Sequence, residues 1–197
     1  KRMLSYNESL KILKETNALL EGHFILSSGL RSKEYIQCAK LLSNPEKAMS
    51  ICSSLCERIK SIFTNIDIIL SPAIGGIVVG YEVGRQLSKK TIFAERSDGN
   101  LSLRRNFEIP KNSSVLIVED VITTGKSVLE CADIVKKNES NIVGYACIIN
   151  RSSEDSLLNN KIVSEIKLKI KTFKENDLPE ELKRIKPIKP GSNKSLK

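Results

Sequence analysis

The stretch of sequence that decides the fold is Val115-Leu116-Ile117-Val118-Glu119-Asp120-Val121-Ile122-Thr123-Thr124-Gly125-Lys126-Ser127. Its first four residues are apolar, which is typical of a strand buried on both faces. The strand is predicted to end in two adjacent carboxylates, and a Thr-Thr-Gly turn then leads into a helix that begins near Ser127. A loop between the carboxyl end of a strand and the start of a helix presents unpaired N–H groups and the positive end of the helix dipole. The stretch therefore predicts an anion-binding site.

The polar residues of this turn suit the parts of a sugar phosphate. Gly125 allows the backbone to approach a ligand closely, and the hydroxyl groups of Thr123, Thr124 and Ser127 can donate hydrogen bonds to a phosphate. The two carboxylates would repel a phosphate, so we expect them to bind vicinal sugar hydroxyls or a Mg²⁺-bound substrate. The alternative is a plain helix cap after a solvated strand end. The combination of apolar run, paired acids and Thr-Thr-Gly-x-Ser favours the functional interpretation.

On both sides of this stretch, short apolar runs alternate with helical patterns. Such alternation predicts a parallel sheet covered by helices on both faces, which is the α/β class. Ser5 with Glu8 forms a capping-box pattern, and Asn44-Pro45 is typical of the start of a second helix. The predicted strands are 66–70, 91–94, 115–118 and 142–149, with a strand-like stretch at 24–38, and the predicted later helices are 76–87 and 125–137.

Composition limits the class of protein. A length of 197 residues corresponds to about one domain, and 40% apolar with 28% charged residues is ordinary for a globular chain. No apolar run approaches the ~18 residues that cross a bilayer, so no membrane association is expected. The five cysteines contain no CxxC pair, which indicates reduced thiols and a cytoplasmic location. His23 is the only histidine, and we expect it to be structural.

Residues 118–127 resemble the phosphoribosyl-pyrophosphate (PRPP) motif of the type I phosphoribosyltransferases. Within that family, the chain is most similar to the orotate phosphoribosyltransferases, over about residues 20–192. The segments that carry this narrower resemblance are 22–29 (Gly-His-Phe-Ile-Leu-Ser-Ser-Gly), 71–76 (Ser-Pro-Ala-Ile-Gly-Gly), Glu95-Arg96 with 103–107, Asn150-Arg151, and 189–192 (Lys-Pro-Gly-Ser).

The resemblance implies a type I phosphoribosyltransferase-like fold, with a central, mostly parallel sheet flanked by helices, a small N-terminal hood and a mobile catalytic loop. It implies a single phosphoribosyltransferase domain over 1–186, with the N-terminal helix and hood at about 1–43 and the α/β core at about 44–186. Residues 187–197 are rich in Pro, Gly and Lys, and we expect them to form an exposed tail.

The implied activity is transfer of the 5-phosphoribosyl group from PRPP to orotate, which yields orotidine 5′-monophosphate and pyrophosphate in de novo pyrimidine synthesis. The implied cofactor is Mg²⁺, bound mainly through PRPP and without dedicated protein ligands. In the family the acids hold the ribose hydroxyls, and the turn that follows binds the 5-phosphate. The implied PRPP-binding residues are Glu119, Asp120, Val121, Ile122, Thr123, Thr124, Gly125, Lys126 and Ser127.

The resemblance also assigns the other parts of the site. The implied pyrophosphate loop is Ala73, Ile74, Gly75 and Gly76. Orotate contacts are implied for Thr123, for Tyr35, whose flat face suits a pyrimidine, and for Arg151, whose guanidinium matches a carboxylate.

Residues 96–107 align with the catalytic loop of the family. Its implied catalytic residues are Arg96, Arg104 and Arg105, together with Asp120 in the PRPP motif. Because this loop enters the neighbouring subunit's site in relatives, a homodimer is implied. Asn106 stands where this branch usually has Gly.

Two alternatives remain open at this stage. A purine-type phosphoribosyltransferase would share the PRPP motif but would not need a cation such as Arg151. An RNA-binding regulator on the same scaffold is suggested by the net charge of +9. However, residues 161–197 hold 11 Lys and Arg against 5 Asp and Glu, whereas residues 1–160 hold 21 against 18. Since the surplus lies mainly beyond the site, we expect a phosphorylated small molecule and no nucleic acid as partner.

Overall fold

The computed structural model describes residues 2–152 and 161–190. The chain forms two sheets and six helices in this part. In chain order, the elements are α1 (Tyr6–Glu15), β1 (Leu19–Ile25), β2 (Arg31–Ile36), α2 (Cys38–Leu42), α3 (Pro45–Ile62), β3 (Ile68–Pro72), α4 (Gly75–Leu87), β4 (Lys90–Ser97), β5 (Asn100–Leu103), β6 (Ser114–Ile122), α5 (Lys126–Lys137), β7 (Asn141–Asn150), β8 (Ile162–Lys167), β9 (Thr172–Phe173) and α6 (Glu180–Lys183).

The main sheet has six strands in the order β5-β4-β3-β6-β7-β8. All its pairings are parallel except the hairpin between β4 and β5. Helices α1, α2, α3 and α4 pack against one face, and α5 packs against the other. The predicted α/β class and the mostly parallel sheet are therefore confirmed.

Strand β6 shows why its apolar run is continuous rather than alternating. Leu116 and Val118 belong to the apolar core on one face of the sheet, and Val115 and Ile117 belong to the core on the other. All four are fully buried, because helices cover both faces. The prediction that the strand ends at the two acids was wrong. Pairing with β7 continues as far as Ile122, so the acids lie within the strand.

The helix starts follow the sequence signals. Ser5 Oγ accepts from the backbone N–H of Glu8 at 3.3 Å, and Glu8 Oε2 accepts from the N–H of Ser5 at 2.8 Å, which completes the capping box. Asn44 Oδ1 accepts from the N–H of Lys47 at 3.2 Å, with Pro45 in the first turn of α3. Both predicted caps are confirmed.

The smaller sheet, which corresponds to the implied hood, draws on both ends of the chain. Strands β1 and β2 are antiparallel, β9 pairs with the outer edge of β2, and Ile188 forms a parallel bridge to Phe24 on the outer edge of β1. The sequence-based boundaries differ from this, since they assign β9 to the core and Ile188 to an exposed tail. Both edges of the hood are covered by backbone that is far away in the sequence, which local patterns do not report.

A buried carboxylate joins α1, α3 and β8. Glu165 Oε1 accepts from the hydroxyls of Ser9 at 2.6 Å and Ser54 at 2.9 Å, while Glu165 Oε2 accepts from Arg58 Nε at 3.0 Å. Arg58 also donates to the carbonyl of Leu4 at 2.6 Å. Because the Glu165 side chain has no exposed surface, its charge depends on these partners.

We expect Arg58→Met to lower the free energy of unfolding by about 3 kcal/mol, because it leaves the Glu165 carboxylate buried without its cation. The matched control is Lys60→Met on the same helix, whose pair with Glu57 is exposed and is worth less than about 1 kcal/mol. Urea unfolding at pH 7 measures both variants. Equal losses in the two would contradict the importance of the buried pair.

Candidate functional site

The predicted site residues come from the carboxyl ends of neighbouring parallel strands. Strand β6 carries the two acids, β3 leads into the predicted pyrophosphate loop, and β7 ends at Asn150, directly before Arg151. The clearest link is between Gly75 and Asp120: a Cβ atom on Gly75 would lie 3.0 Å from Asp120 Oδ1 and 3.1 Å from Oδ2. The structure therefore brings these two predicted loops into direct contact, and a side chain at position 75 would force the Asp120 carboxylate to shift.

The two acids are partly buried, and burial changes their acidity. Desolvation raises the pKa of Glu119 to about 8, and the neighbouring Asp120 adds to the increase. Desolvation also raises the pKa of Asp120, although a hydrogen bond from the backbone N–H of Val121 at 2.8 Å opposes that effect. Glu119 therefore holds a proton at neutral pH in the unliganded protein, and a cation-bearing ligand would favour its release.

The predicted phosphate loop has the geometry of an anion site. Gly125 precedes α5 with φ 82°, a left-handed conformation that glycine adopts readily. Thr123 and Thr124 are exposed, and Thr124 Oγ1 lies 3.4 Å from the backbone nitrogen of Lys126. The amides of the first turn of the 12-residue helix α5 lack helical partners and point toward this loop.

The three residues predicted to contact the base line one cavity of about 400 Å³. Tyr35 comes from β2, Thr123 from the phosphate loop and Arg151 from the end of β7. Arg151 is held by its backbone N–H, which donates to the carbonyl of Ile122 at 2.7 Å. Its guanidinium is half-buried, burial lowers its pKa, and its Nε atom has no hydrogen-bond partner among the described residues. A half-buried guanidinium with an unpartnered Nε in a cavity is suited to an anionic ligand.

Sequence reasoning did not assign several residues of this cavity. The remaining lining residues are Leu26, Ser27, Ser28, Glu34, Ile36 and Pro190. Ser27 and Ser28 belong to the segment 22–29 that carries the family resemblance, so a signal for them existed. Pro190 reaches the cavity only through the long-range pairing of Ile188 with β1, which no local pattern indicates.

The predicted pyrophosphate loop connects β3 to α4. The backbone N–H of Ala73 donates to the carbonyl of Ala94 at 2.7 Å, and the peptide bond between Ala73 and Ile74 is cis. Ile74 is 87% exposed, and it begins an apolar stripe that continues along α4 through Val78 and Tyr81.

The three predicted catalytic arginines do not contact the acids of the site. Arg96 lies on β4 and binds Glu130 of α5, with Nη2 2.6 Å from Oε2. Arg105 forms a bidentate pair with Glu95 at 2.7 and 2.9 Å, and its guanidinium lies 5.8 Å from the centre of the Phe93 ring. Arg104 is exposed; its carbonyl accepts from the N–H of Phe107 at 3.0 Å, and its side chain makes no hydrogen bond or ion pair with the described residues. The predicted loop at 96–107 is in part a hairpin, because β4 and β5 pair as far as its Asp98-Gly99 turn.

Asn106 has φ 55° and follows Arg105 with φ 57°. Two successive left-handed residues are unusual, and asparagine tolerates this conformation better than most residues. This explains how the segment accepts Asn where the family usually has Gly.

The histidine and the cysteines are structural within the described residues. His23 is buried, with Nδ1 2.9 Å from the carbonyl oxygen of Ile185. All five cysteines are buried and free. Residues 2–152 and 161–190 contain no cluster of three or more His, Cys, Asp or Glu side chains suited to a metal. In the same ranges, no helix is long and apolar enough to span a membrane.

Comparisons with known proteins point to one family. Residues 38–183 match the family described as "Phosphoribosyl transferase domain". The chain is 45% identical to the orotate phosphoribosyltransferase of Caldicellulosiruptor bescii over 185 residues, which are 94% of this chain and 96% of that protein. It is also 45% identical to that of Methylorubrum extorquens over 186 residues, covering 94% and 95%.

Solved structures show the same fold. The orotate phosphoribosyltransferase of Aeropyrum pernix superposes with a TM-score of 0.71 at 25% identity, covering 80% of this chain and 92% of that one. An adenine phosphoribosyltransferase from Saccharomyces cerevisiae superposes with a TM-score of 0.65 at 18% identity, covering 80% and 99%.

The raised pKa of Glu119 predicts a pH-dependent cost to stability. A carboxyl whose folded pKa lies above its unfolded value loses stability as pH rises between the two values, here from about 4.5 to about 8. We expect Glu119→Gln to raise Tm more at pH 8 than at pH 5, because the amide has no charge to desolvate. Thermal unfolding at the two pH values measures the difference. An equal gain at both would show that the carboxyl is ionised throughout.

Proposed function

This chain belongs to the orotate phosphoribosyltransferases of the phosphoribosyltransferase family, and we propose that the site described above performs their reaction with its residues in the following roles. The enzyme transfers the 5-phosphoribosyl group of PRPP to orotate, which yields orotidine 5′-monophosphate and pyrophosphate in pyrimidine synthesis. The observation that carries the assignment of residues is the single cavity that Tyr35, Thr123 and Arg151 share beside the paired acids.

Arg151 binds the carboxylate of orotate. The guanidinium is fork-shaped and matches a carboxylate with two parallel hydrogen bonds, and its buried Nε still lacks a partner. Tyr35 covers a face of the pyrimidine ring and is itself supported by Phe24, with 5.7 Å between the ring centres. Thr123 reaches both the base and the phosphate loop, so it joins the two halves of the site.

In the PRPP half of the site, different residues bind the charged phosphates and the uncharged ribose. The backbone amides and hydroxyls of residues 123–127 bind the 5-phosphate at the start of α5. Glu119 and Asp120 accept hydrogen bonds from the uncharged ribose hydroxyls. Residues 73–76 receive the pyrophosphate, because α4 begins at Gly75 and the first amides of a helix lack helical partners.

Magnesium fits this arrangement as a partner of the substrate. Glu119 and Asp120 are two neighbouring acids, and no group of three or more His, Cys, Asp or Glu side chains suited to a metal occurs among the described residues, so a closed protein cage is not formed there. Mg²⁺ would therefore be held mainly by PRPP, with these two acids nearby. When bound, it supplies positive charge that offsets the pyrophosphate.

The chain's own contribution to catalysis is orientation and charge. The cavity holds N1 of orotate in line with C1 of the ribose, so that the bond between them forms as the bond from C1 to the pyrophosphate oxygen breaks. Asp120 stabilises the positive charge that develops on the sugar. Arginines of the loop stabilise the negative charge on the leaving pyrophosphate.

A homodimer would complete the site. The Arg104 side chain makes no hydrogen bond or ion pair in the described part of its own chain, and Arg96 and Arg105 are held by their own chain's acids. An exposed apolar stripe, made of Ile74, Val78 and Tyr81, starts at the pyrophosphate loop and follows one face of α4. A second copy of the chain seated on this stripe would lie next to the site and would bring its own Arg104 within reach.

The cytoplasm is the proposed location. Its support is the five free thiols, since burial raises the pKa of Cys38, Cys52, Cys131 and Cys147 and keeps them protonated and unreactive. Neither nucleic acid nor membrane is a proposed partner.

Arg151→Ala tests the base cavity. We expect kcat/KM for orotate to fall about 100-fold, since a paired, charge-assisted contact is lost, while PRPP affinity changes less than about twofold. Lys167→Ala, an exposed cation at the end of the adjacent strand, is the control. Orotate-dependent release of pyrophosphate measures the first quantity, and calorimetric titration with Mg²⁺-PRPP measures the second. Equal losses for both substrates would contradict the assignment, and activity with a purine base in place of orotate would support the purine-type alternative.

Subunit complementation tests the shared loop. Arg104→Ala and Asp120→Asn are each expected to inactivate the enzyme. After the two variants are mixed, unfolded and refolded together, random pairing should restore about a quarter of wild-type activity, because each mixed dimer has one site with both wild-type residues. A mixture that stays inactive would show that Arg104 acts in its own subunit. Tyr81→Glu, which places a charge on the apolar stripe, should prevent both dimer formation and complementation.

A further inference from the structure

We propose that the C-terminal strap, defined as residues 185–190, forms a wall of the base cavity and sets the affinity of the site for orotate. This inference rests on the proposed function of that cavity. It makes Pro190 part of the cavity wall, and it makes His23 and the backbone N–H of Ile188 positioning groups that hold the strap. None of these residues belongs to the PRPP motif, the pyrophosphate loop or the loop arginines.

Three hydrogen bonds attach the strap to β1. The N–H of Ile188 donates to the carbonyl of His23 at 2.8 Å, and the N–H of Ile25 donates to the carbonyl of Ile188 at 2.8 Å. His23 Nδ1 lies 2.9 Å from the carbonyl oxygen of Ile185. Because a carbonyl oxygen can only accept, Nδ1 carries the hydrogen and donates it. The single histidine of the chain is therefore a clamp for the strap.

The register of this attachment brings Pro190 to the cavity. Ile188 pairs in parallel with Phe24, so two residues further along each strand Pro190 comes level with Leu26. Leu26, Ser27, Ser28 and Pro190 all line the base cavity. The strap thus continues the hood sheet by one strand and ends at the same place as the Ser-Ser-Gly turn after β1.

Proline suits this position chemically. It has no N–H group. A bound ligand that covers it therefore leaves no backbone donor buried without a partner. Its ring adds an apolar surface to the cavity that Thr123 and Arg151 also line. A planar ring with one charged edge fits between an apolar wall and a cation.

The strap is held by hydrogen bonds more than by burial. Ile188 is 58% exposed, and its neighbours Pro187 and Lys189 are also exposed, whereas Leu182 upstream is buried and anchors α6. Loss of one of these hydrogen bonds should therefore free residues 185–190 locally and leave the rest of the fold intact. Such a local effect allows the role of the strap to be separated from stability.

Displacement of the strap should also affect Tyr35. Phe24, which follows His23 and pairs with Ile188, packs against the Tyr35 ring. The PRPP half of the site, at residues 119–127 and 73–76, makes no backbone hydrogen bond to the strap. The expected signature is a change in orotate binding with PRPP binding preserved.

Ile188→Pro and Ile188→Ala form a matched pair. Both remove the exposed side chain, but only proline removes the N–H that donates to His23. We expect Ile188→Pro to raise KM for orotate about tenfold, with kcat and KM for PRPP within about twofold of wild type, because the loss corresponds to one hydrogen bond and the ordering of a short wall. Ile188→Ala should match wild type in all three constants.

Two further pairs test the clamp and the wall. His23→Leu should reproduce the increase in KM for orotate. His23→Asn, whose amide can donate in place of Nδ1–H, should bring KM part of the way back to the wild-type value. Pro190→Ala should weaken orotate binding, whereas Pro187→Ala, in the same strap but outside the cavity, should not. Thermal unfolding confirms that each variant is folded at the assay temperature.

The outcomes separate this inference from the function that it rests on. A wild-type enzyme that releases no pyrophosphate with orotate would overturn the proposed function. A working wild-type enzyme, together with equal KM for orotate in Ile188→Pro and Ile188→Ala, would overturn the strap proposal alone. A parallel increase in KM for both substrates would also overturn it, because the strap would then support the fold in general and not the base cavity.

Discussion

Parallel pairing of β3, β6 and β7 is the constraint on which the rest of the site depends. Parallel strands place their carboxyl ends at one edge of the sheet, and each of these three strands ends in a different part of the site. The acids, the pyrophosphate loop and Arg151 are 30 or more positions apart in the sequence, yet the register of the ladder brings them together. The contact between Gly75 and the Asp120 carboxylate shows how closely that register is set.

The sheet that positions the two acids also makes their ionisation unfavourable. Because β6 remains paired as far as Ile122, Glu119 and Asp120 are fixed in a strand and partly removed from water. Their raised pKa values show that the fold opposes the charged form, and a ligand with hydroxyls and a bound cation offsets that cost. Burial of these two acids therefore lowers the stability of the fold, and such a cost is common at functional sites.

The hood shows a second use of long-range pairing. Strands β1 and β2 alone form a two-stranded ribbon with two open edges, and such a ribbon is marginally stable. The C-terminal stretch covers both edges, β9 on one side and Ile188 on the other. A sheet closed in this way holds Tyr35 rigidly over the base cavity and links the end of the chain to substrate binding. The predicted hood of about residues 1–43 contains β1 and β2, but it omits the C-terminal segments that complete the sheet.

The sequence by itself determined the local features of this protein. The apolar run at 115–118 predicted a doubly covered strand, Ser5 with Glu8 and Asn44-Pro45 predicted helix starts, and the Thr-Thr-Gly turn after two acids predicted a phosphate site and its family. These signals lie within a few neighbouring residues, where periodicity and capping chemistry act. Only the tertiary structure decided that β6 continues through the acids, that Arg96 and Arg105 are held by Glu130 and Glu95, and that Pro190 lines the base cavity. The length of β6 and the position of Pro190 depend on backbone pairing between segments far apart in the chain, and every sequence has the backbone groups that make such hydrogen bonds. The two ion pairs depend on which side chains the folded sheet and α5 bring together.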